Sequence, residues 1–211
     1  MIHPSRRPRV RSVAAQILLT LLIAAPALAG GAAASTPMAV VKTAVTRAMA
    51  IFRDQKTPLP QRRRELRELV AANFDFAEMA RSALGPRWKT LPEDQRKQFV
   101  ELFTAYSEYD FLNQIQEFRD LTFHFIKEIP ISPGYAQVNT LVDRPGKQPA
   151  TLNFSLKQEG AEWKAIDVLI NGLSLVGGNR TQFGLVIDNM GVDALMSDLQ
   201  AKRKELEASL K

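Results

Sequence analysis

Thr151-Leu152-Asn153-Phe154-Ser155-Leu156-Lys157-Gln158-Glu159-Gly160, followed at once by Ala161-Glu162-Trp163-Lys164-Ala165-Ile166-Asp167-Val168-Leu169-Ile170, holds the key to the fold. Leu152, Phe154 and Leu156 alternate with Thr151, Asn153 and Ser155, a period of two that places one apolar face on a strand. Gln158-Glu159-Gly160 reads as a turn. Ile166, Val168 and Ile170 then alternate with Ala165, Asp167 and Leu169, and this second strand is apolar on nearly both faces. Two strands joined by so short a turn pair antiparallel.

The same pattern extends upstream. Phe123 and Phe125 alternate with His124 and Ile126, and Val138, Thr140 and Val142 alternate with Gln137, Asn139 and Leu141. Pro145-Gly146 marks the turn before the third strand, and Asn171-Gly172 ends the sheet. An antiparallel meander of about four strands is expected.

Helical periodicity flanks it on both sides. Thr36-Pro37 is a cap followed by proline at the first helical position, and Val41, Val45, Ala48, Met49 and Phe52 fall on one face. Pro58 and Pro60 break that helix. A second runs from about Gln61 to Asn73 and a third from Phe76 to Leu84, stopped by Gly85-Pro86. Thr90-Leu91-Pro92-Glu93 reads as a capping box for a fourth that reaches about Phe118, with Phe99, Leu102, Phe103, Tyr106, Phe111, Ile115 and Phe118 on its apolar side. Gly177-Gly178 reads as a flexible joint, followed by helices at about Thr181–Met190 and Val192–Leu210, split at Gly191. The fold class is α+β: a twisted antiparallel sheet packed against N-terminal and C-terminal helices.

The chain has 211 residues, 45% hydrophobic and 24% charged, which disfavours disorder and coiled coil. Its first part reads as an export signal. Arg6, Arg7, Arg9 and Arg11 precede an apolar run from Val13 to Ala25, too short for a membrane span, and Ala27-Leu28-Ala29 fits signal-peptide cleavage. Residues 1–29 are expected to be the signal peptide, 30–35 a short flexible segment, and 36–211 a single domain in the periplasm. The net charge of +6 counts 28 basic and 22 acidic residues. Residues 1–29 hold four Arg and no acid, so the remainder carries 24 against 22, a net +2. The case for nucleic-acid binding rests on the leader and goes with it.

The chain offers little chemistry. There is no Cys and there are two His, His3 and His124, which removes thiolate and multi-histidine metal sites and any cysteine nucleophile. His124 and Asp167 are the candidates for an acid or base, and each also reads as a satisfied structural residue. Arg62-Arg63-Arg64 with Arg67 forms a basic patch on the second helix. It reads either as a solvated face or as a contact for anionic headgroups or an acidic partner. The many large apolar residues fill a core, or line a cavity between helices and sheet that holds an apolar ligand.

Several stretches resemble the MlaC or toluene-tolerance family of periplasmic auxiliary proteins of ABC transporters. They are Phe74-Asp75-Phe76-Ala77-Glu78-Met79-Ala80 with Ala83-Leu84-Gly85 and Trp88-Lys89; Gln95-Arg96 with Phe99, Phe103 and Tyr106; Val138-Asn139-Thr140-Leu141-Val142; Trp163-Lys164-Ala165-Ile166-Asp167-Val168 with Asn171-Gly172-Leu173-Ser174-Leu175; and Asn179-Arg180-Thr181-Gln182-Phe183 with Gly191 and Leu195. They span roughly residues 38–205. Asn179 stands where the family often has Tyr, and a branch of the family is linked to hopanoids.

The resemblance implies a carrier without catalytic residue, metal or cofactor, which shields the acyl chains of a phospholipid or related lipid. It also implies partners: an inner-membrane ABC transporter with an MCE-domain subunit, and an outer-membrane lipoprotein complex. On this reading the apolar faces assign the cavity to Phe99, Phe103, Tyr106, Phe125, Leu152, Phe154, Ile166, Val168, Leu173, Phe183 and Ile187. Arg62, Arg63 and Arg67 would meet a headgroup or partner. The alternatives are an envelope adaptor with a closed core, or a small enzyme using Asp167 or His124.

Overall fold

The computed structural model describes residues 35–113 and 120–209. The expected signal peptide, and Ile115 and Phe118 of the fourth-helix stripe, lie outside them. Helices α1 (Pro37–Arg53), α2 (Leu59–Asn73) and α3 (Phe76–Leu84) come first, then a 3-10 segment (Gly85–Thr90) and α4 (Glu93–Asn113). Strands β1 (Thr122–Ser132), β2 (Tyr135–Asp143), β3 (Ala150–Glu159) and β4 (Glu162–Ile170) follow. A two-residue β5 (Leu173–Ser174), α5 (Leu175–Met190) and α6 (Val192–Ser209) complete the order. The sheet runs β1-β2-β3-β4-β5, antiparallel throughout.

Three local readings need correction. The sheet does not end at Asn171-Gly172. Both residues have positive φ, 50° and 82°, so the chain reverses there and pairs Leu169 with Ser174 and Ile170 with Leu173 as a fifth strand. Gly177-Gly178 is not a joint but the first turn of α5. Ser174 caps that helix, its Oγ accepting from Gly177 N at 2.8 Å, while Asp167 accepts from Val176 N at 3.1 Å. Thr90 does not cap α4: its hydroxyl donates to Arg87 O at 2.8 Å, closing the 3-10 turn, and Leu91 is extended. Glu93 is the first residue of α4 and pairs with Lys97 at 2.7 Å.

Alternation in the sheet holds best in β2, where Ala136, Val138, Thr140 and Val142 are all buried. Elsewhere the register slips by one residue, at Ile126 and Ile131 in β1 and at Ile166 in β4. A slip moves every later side chain to the opposite face. It explains why Ile126 and Ile131 are exposed and why Ala165 and Val168 share the buried face. Pro130 in β1 removes a donor, which an edge strand tolerates.

The core has three parts. Phe76, Met79, Leu84, Phe99, Phe103, Phe183, Leu195 and Leu199 bind α3, α4, α5 and α6 together. Met49, Ile51, Phe52, Leu66 and Leu112 join α1, α2 and α4. Val41 of α1 packs on Val138, Phe154, Leu156 and Val168 of the sheet.

Candidate functional site

Two hollows stand out. One lies beneath α1, against the sheet, lined by Val40, Val41, Ala44, Val45, Asn73, Phe74, Phe154, Leu156 and Ala165, with a volume of about 30 Å³. That is one water molecule's share of liquid volume. It exists because helix α1 presents Ala44 to the sheet between two valines, and because the α2–α3 connection threads alongside β4. There Phe74 bridges Ala165, and Asp75 N donates to Ala165 O at 2.9 Å. Asp75 then caps α3, accepting from Glu78 N at 2.9 Å.

The other is an open groove of about 560 Å³ on the helical side, bordered by Tyr106, Gln182, Phe183, Leu185, Val186, Leu195, Asp198, Leu199, Ala201 and Lys202 of α4, α5 and α6. Its floor is aromatic. Phe183 meets Phe99, Phe103 and Tyr106 edge-on, with ring centroids 6.0, 6.2 and 6.1 Å apart. Burial pushes the Tyr106 phenol above its ordinary pKa, and Asp110 adds to that.

The eleven residues assigned to a single cavity divide between these places. Phe99, Phe103, Tyr106, Phe183 and Ile187 belong to the helical core. Phe125, Leu152, Phe154 and Val168 belong to the apolar layer between α1 and the sheet. Ile166 is the extra residue of the β4 slip and is only partly covered. Leu173, on the two-residue β5, is 76% exposed. Of the residues lining the hollow only Phe154 is among those eleven; Val40, Val41, Ala44, Val45, Asn73, Phe74, Leu156 and Ala165 are not. Ala44 sits between the apolar positions Val41 and Val45, and that small residue on an apolar stripe was the available signal.

The basic patch is turned inward in part. Arg67 Nε lies 2.8 Å from Glu108 Oε2, and Glu108 is only 4% exposed. Burial holds the Glu108 carboxyl above the usual carboxylate range, opposed by the Arg67 charge. Arg62 donates to Phe52 O at 3.3 Å, and Arg63 is partly buried. Two of the three arginines expected to meet a headgroup or partner thus tie α2 to its neighbours.

The acid–base candidates are placed as follows. Asp167 accepts from Ser174 Oγ at 2.6 Å, from Val168 N at 2.9 Å and from Val176 N at 3.1 Å, so both its oxygens are engaged in holding the β4–α5 turn. His124 Nε2 lies 2.7 Å from Asp143 Oδ2 on the exposed face of the β1–β2 hairpin, far from Asp167 in register. The two do not form one site. Among the described residues no cluster of three or more His, Asp or Glu could hold a metal ion, and no helix is long and apolar enough to cross a membrane.

The family model for MlaC protein matches residues 42–201 of the chain. Among solved structures, the phospholipid-binding protein from Ralstonia solanacearum, in complex with a phospholipid, aligns with 82% of this chain and 99% of its own. Its TM-score is 0.71 and its identity to this chain 23%. At that identity the likeness establishes the fold.

Proposed function

The chain belongs to the MlaC protein family, and from that premise we propose that it is a lipid carrier, a binding protein rather than an enzyme. The observation that carries this reading is the layer between α1 and the sheet. Val41, Val45, Phe125, Leu152, Phe154, Leu156 and Val168 make one apolar surface around a hollow, with no charged side chain in the hollow's lining. A fold neighbour, the Ralstonia solanacearum protein, is in complex with a phospholipid. Acyl chains are the ligand such a surface suits, since each buried CH₂ is worth about 0.8 kcal/mol relative to water. Two chains of roughly thirty methylenes would cost on the order of 20 kcal/mol to expose, so a carrier must cover nearly their full length. Transfer from a membrane exchanges one apolar medium for another, and docking can drive it without ATP at the carrier.

In the full reading residues 1–29 direct export and are removed, and the domain from Thr36 onward works in the periplasm. It passes lipid between an outer-membrane lipoprotein complex and an inner-membrane ABC transporter with an MCE-domain subunit. Family membership supports this. Engagement of both Asp167 oxygens within the fold speaks against its use as an acid or base.

The test is purification from the periplasm without detergent, with masses measured natively and after denaturation and with lipid extracted from the same sample. A stoichiometric phospholipid is expected. A protein that carries no lipid and takes none from vesicles defeats the reading and favours an adaptor with a closed core.

A further inference from the structure

The hollow beneath α1 has room for about one water, so no acyl chain enters it until something moves. The three-part core shows which element is free to do so. The C-terminal half of α1 is anchored by Met49, Ile51 and Phe52 among α2 and α4. Its N-terminal half packs mainly on the sheet, through Val41 with Met38 and Val45 beside it, and has Asn73 and Phe74 at the end of α2 alongside. Parting that half from the sheet leaves the helical core of Phe99, Phe103 and Phe183 untouched. The contact is also fastened by polar groups. The first turn of α1 contains no acidic residue, yet Glu128 of β1 accepts the Met38 amide at 2.8 Å across 90 residues of sequence. It supplies the negative charge that a helix N-terminus favours. At the other end Arg53 donates to Leu121 O at 2.8 Å.

We propose that α1 is a strap over the lipid site, which pivots on Met49, Ile51 and Phe52 to admit an acyl chain, and that Glu128 is its catch. This rests on the lipid-carrier reading. As it lies in this structure the strap is closed, and lifting the Val41 end merges the hollow with the apolar sheet face of Leu152, Phe154 and Val168. An entering chain replaces the α1 side chains on that face, so the surface stays covered during exchange.

The chain contains no cysteine, so an introduced pair is unambiguous. Met38→Cys with Glu128→Cys replaces the hydrogen-bonded catch by a covalent one. Uptake is followed with a fluorescent phospholipid in phosphatidylethanolamine–phosphatidylglycerol vesicles. The oxidised protein is expected to take up lipid at least about tenfold more slowly than the same protein reduced. Glu128→Ala alone is expected to speed uptake roughly two- to fivefold, the range of an exposed helix-terminus charge. Spin labels on Ala39→Cys and Thr151→Cys should move apart when lipid is loaded. Equal uptake by locked and reduced protein, or a label distance that lipid leaves unchanged, overturns the strap but not the carrier. Absence of uptake by the unmodified protein overturns both.

Discussion

The Asp167 carboxylate accepts the Ser174 hydroxyl at 2.6 Å across the β4–β5 turn, and the same hydroxyl oxygen accepts from Gly177 N at 2.8 Å. With the Val176 amide on Asp167 as well, one half-buried acid fixes both the fifth strand and the start of α5. Asp167→Ala leaves three donors without their acceptor and is expected to cost about 2–3 kcal/mol, since hydrogen bonds to a charged group are the stronger kind. Urea unfolding of the variant measures it. A loss below about 0.5 kcal/mol contradicts this role.

Gly85 and Gly184 face arginines from opposite sides of one contact. A Cβ on Gly85 would meet Arg180 Cδ at 3.3 Å, and one on Gly184 would meet Arg87 Nη1 at 3.3 Å. Arg180 Nε donates to Ser82 O at 2.7 Å and Arg87 pairs with Asp188 at 2.7 Å, so α3 and the 3-10 segment after it are each tied to α5. Gly85 also has φ +57°, as the residue that ends α3. Gly85→Ala is therefore expected to cost about 1–2 kcal/mol. Gly160→Ala, at φ +60° in open space, should cost less. Thermal melts of the two variants should keep that order.

Glu108 carries a pH dependence whose sign follows from its burial. Its folded carboxyl titrates above the unfolded value, so the folded state holds the proton longer. Its contribution to stability is therefore best below the unfolded pKa and declines as pH rises through the folded one. Glu108→Gln should melt higher than the parent at pH 7 and lose that advantage near pH 4. Arg67→Ala should do the reverse, destabilising more at pH 7, where the buried charge lacks its partner. Parallel curves for parent and Glu108→Gln would contradict the assignment.

Phe103 and Ala44 separate stability from lipid capacity. Phe103 is fully buried among helices, and Phe103→Ala is expected to cost about 3–5 kcal/mol. Lipid bound per folded molecule should not change. Ala44 borders the hollow beneath α1, and Ala44→Trp should cut lipid content at least about fivefold in a protein that still folds, as read by phosphate analysis of the purified carrier. The opposite pattern would place the lipid in the helical groove.

Most element types and turns were legible because their causes are local. Alternation in β2 and β3, the cap at Thr36 and the stop at Gly85 each depend on a few neighbouring residues, and each is found where expected. Asn171-Gly172 read as the end of the sheet, because the two residues pairing beyond it are too few to show a period. Gly177-Gly178 looked like a break because helix propensity is low there. Tertiary capping by Ser174 and Asp167 overrides it.

The sequence by itself determined the order of helices and strands, the family and the surplus of apolar side chains, because periodicity and turn chemistry are written in adjacent residues. Only the tertiary structure decided which apolar residues share a core. It separated Phe103 from Phe154, exposed Leu173, turned Arg67 onto Glu108 and set Glu128 against the first turn of α1. One-residue slips at Ile126 and Ile166 reassign faces without disturbing composition. Contacts across 90 residues depend on how layers stack, a cooperative outcome of the whole chain that no local window contains.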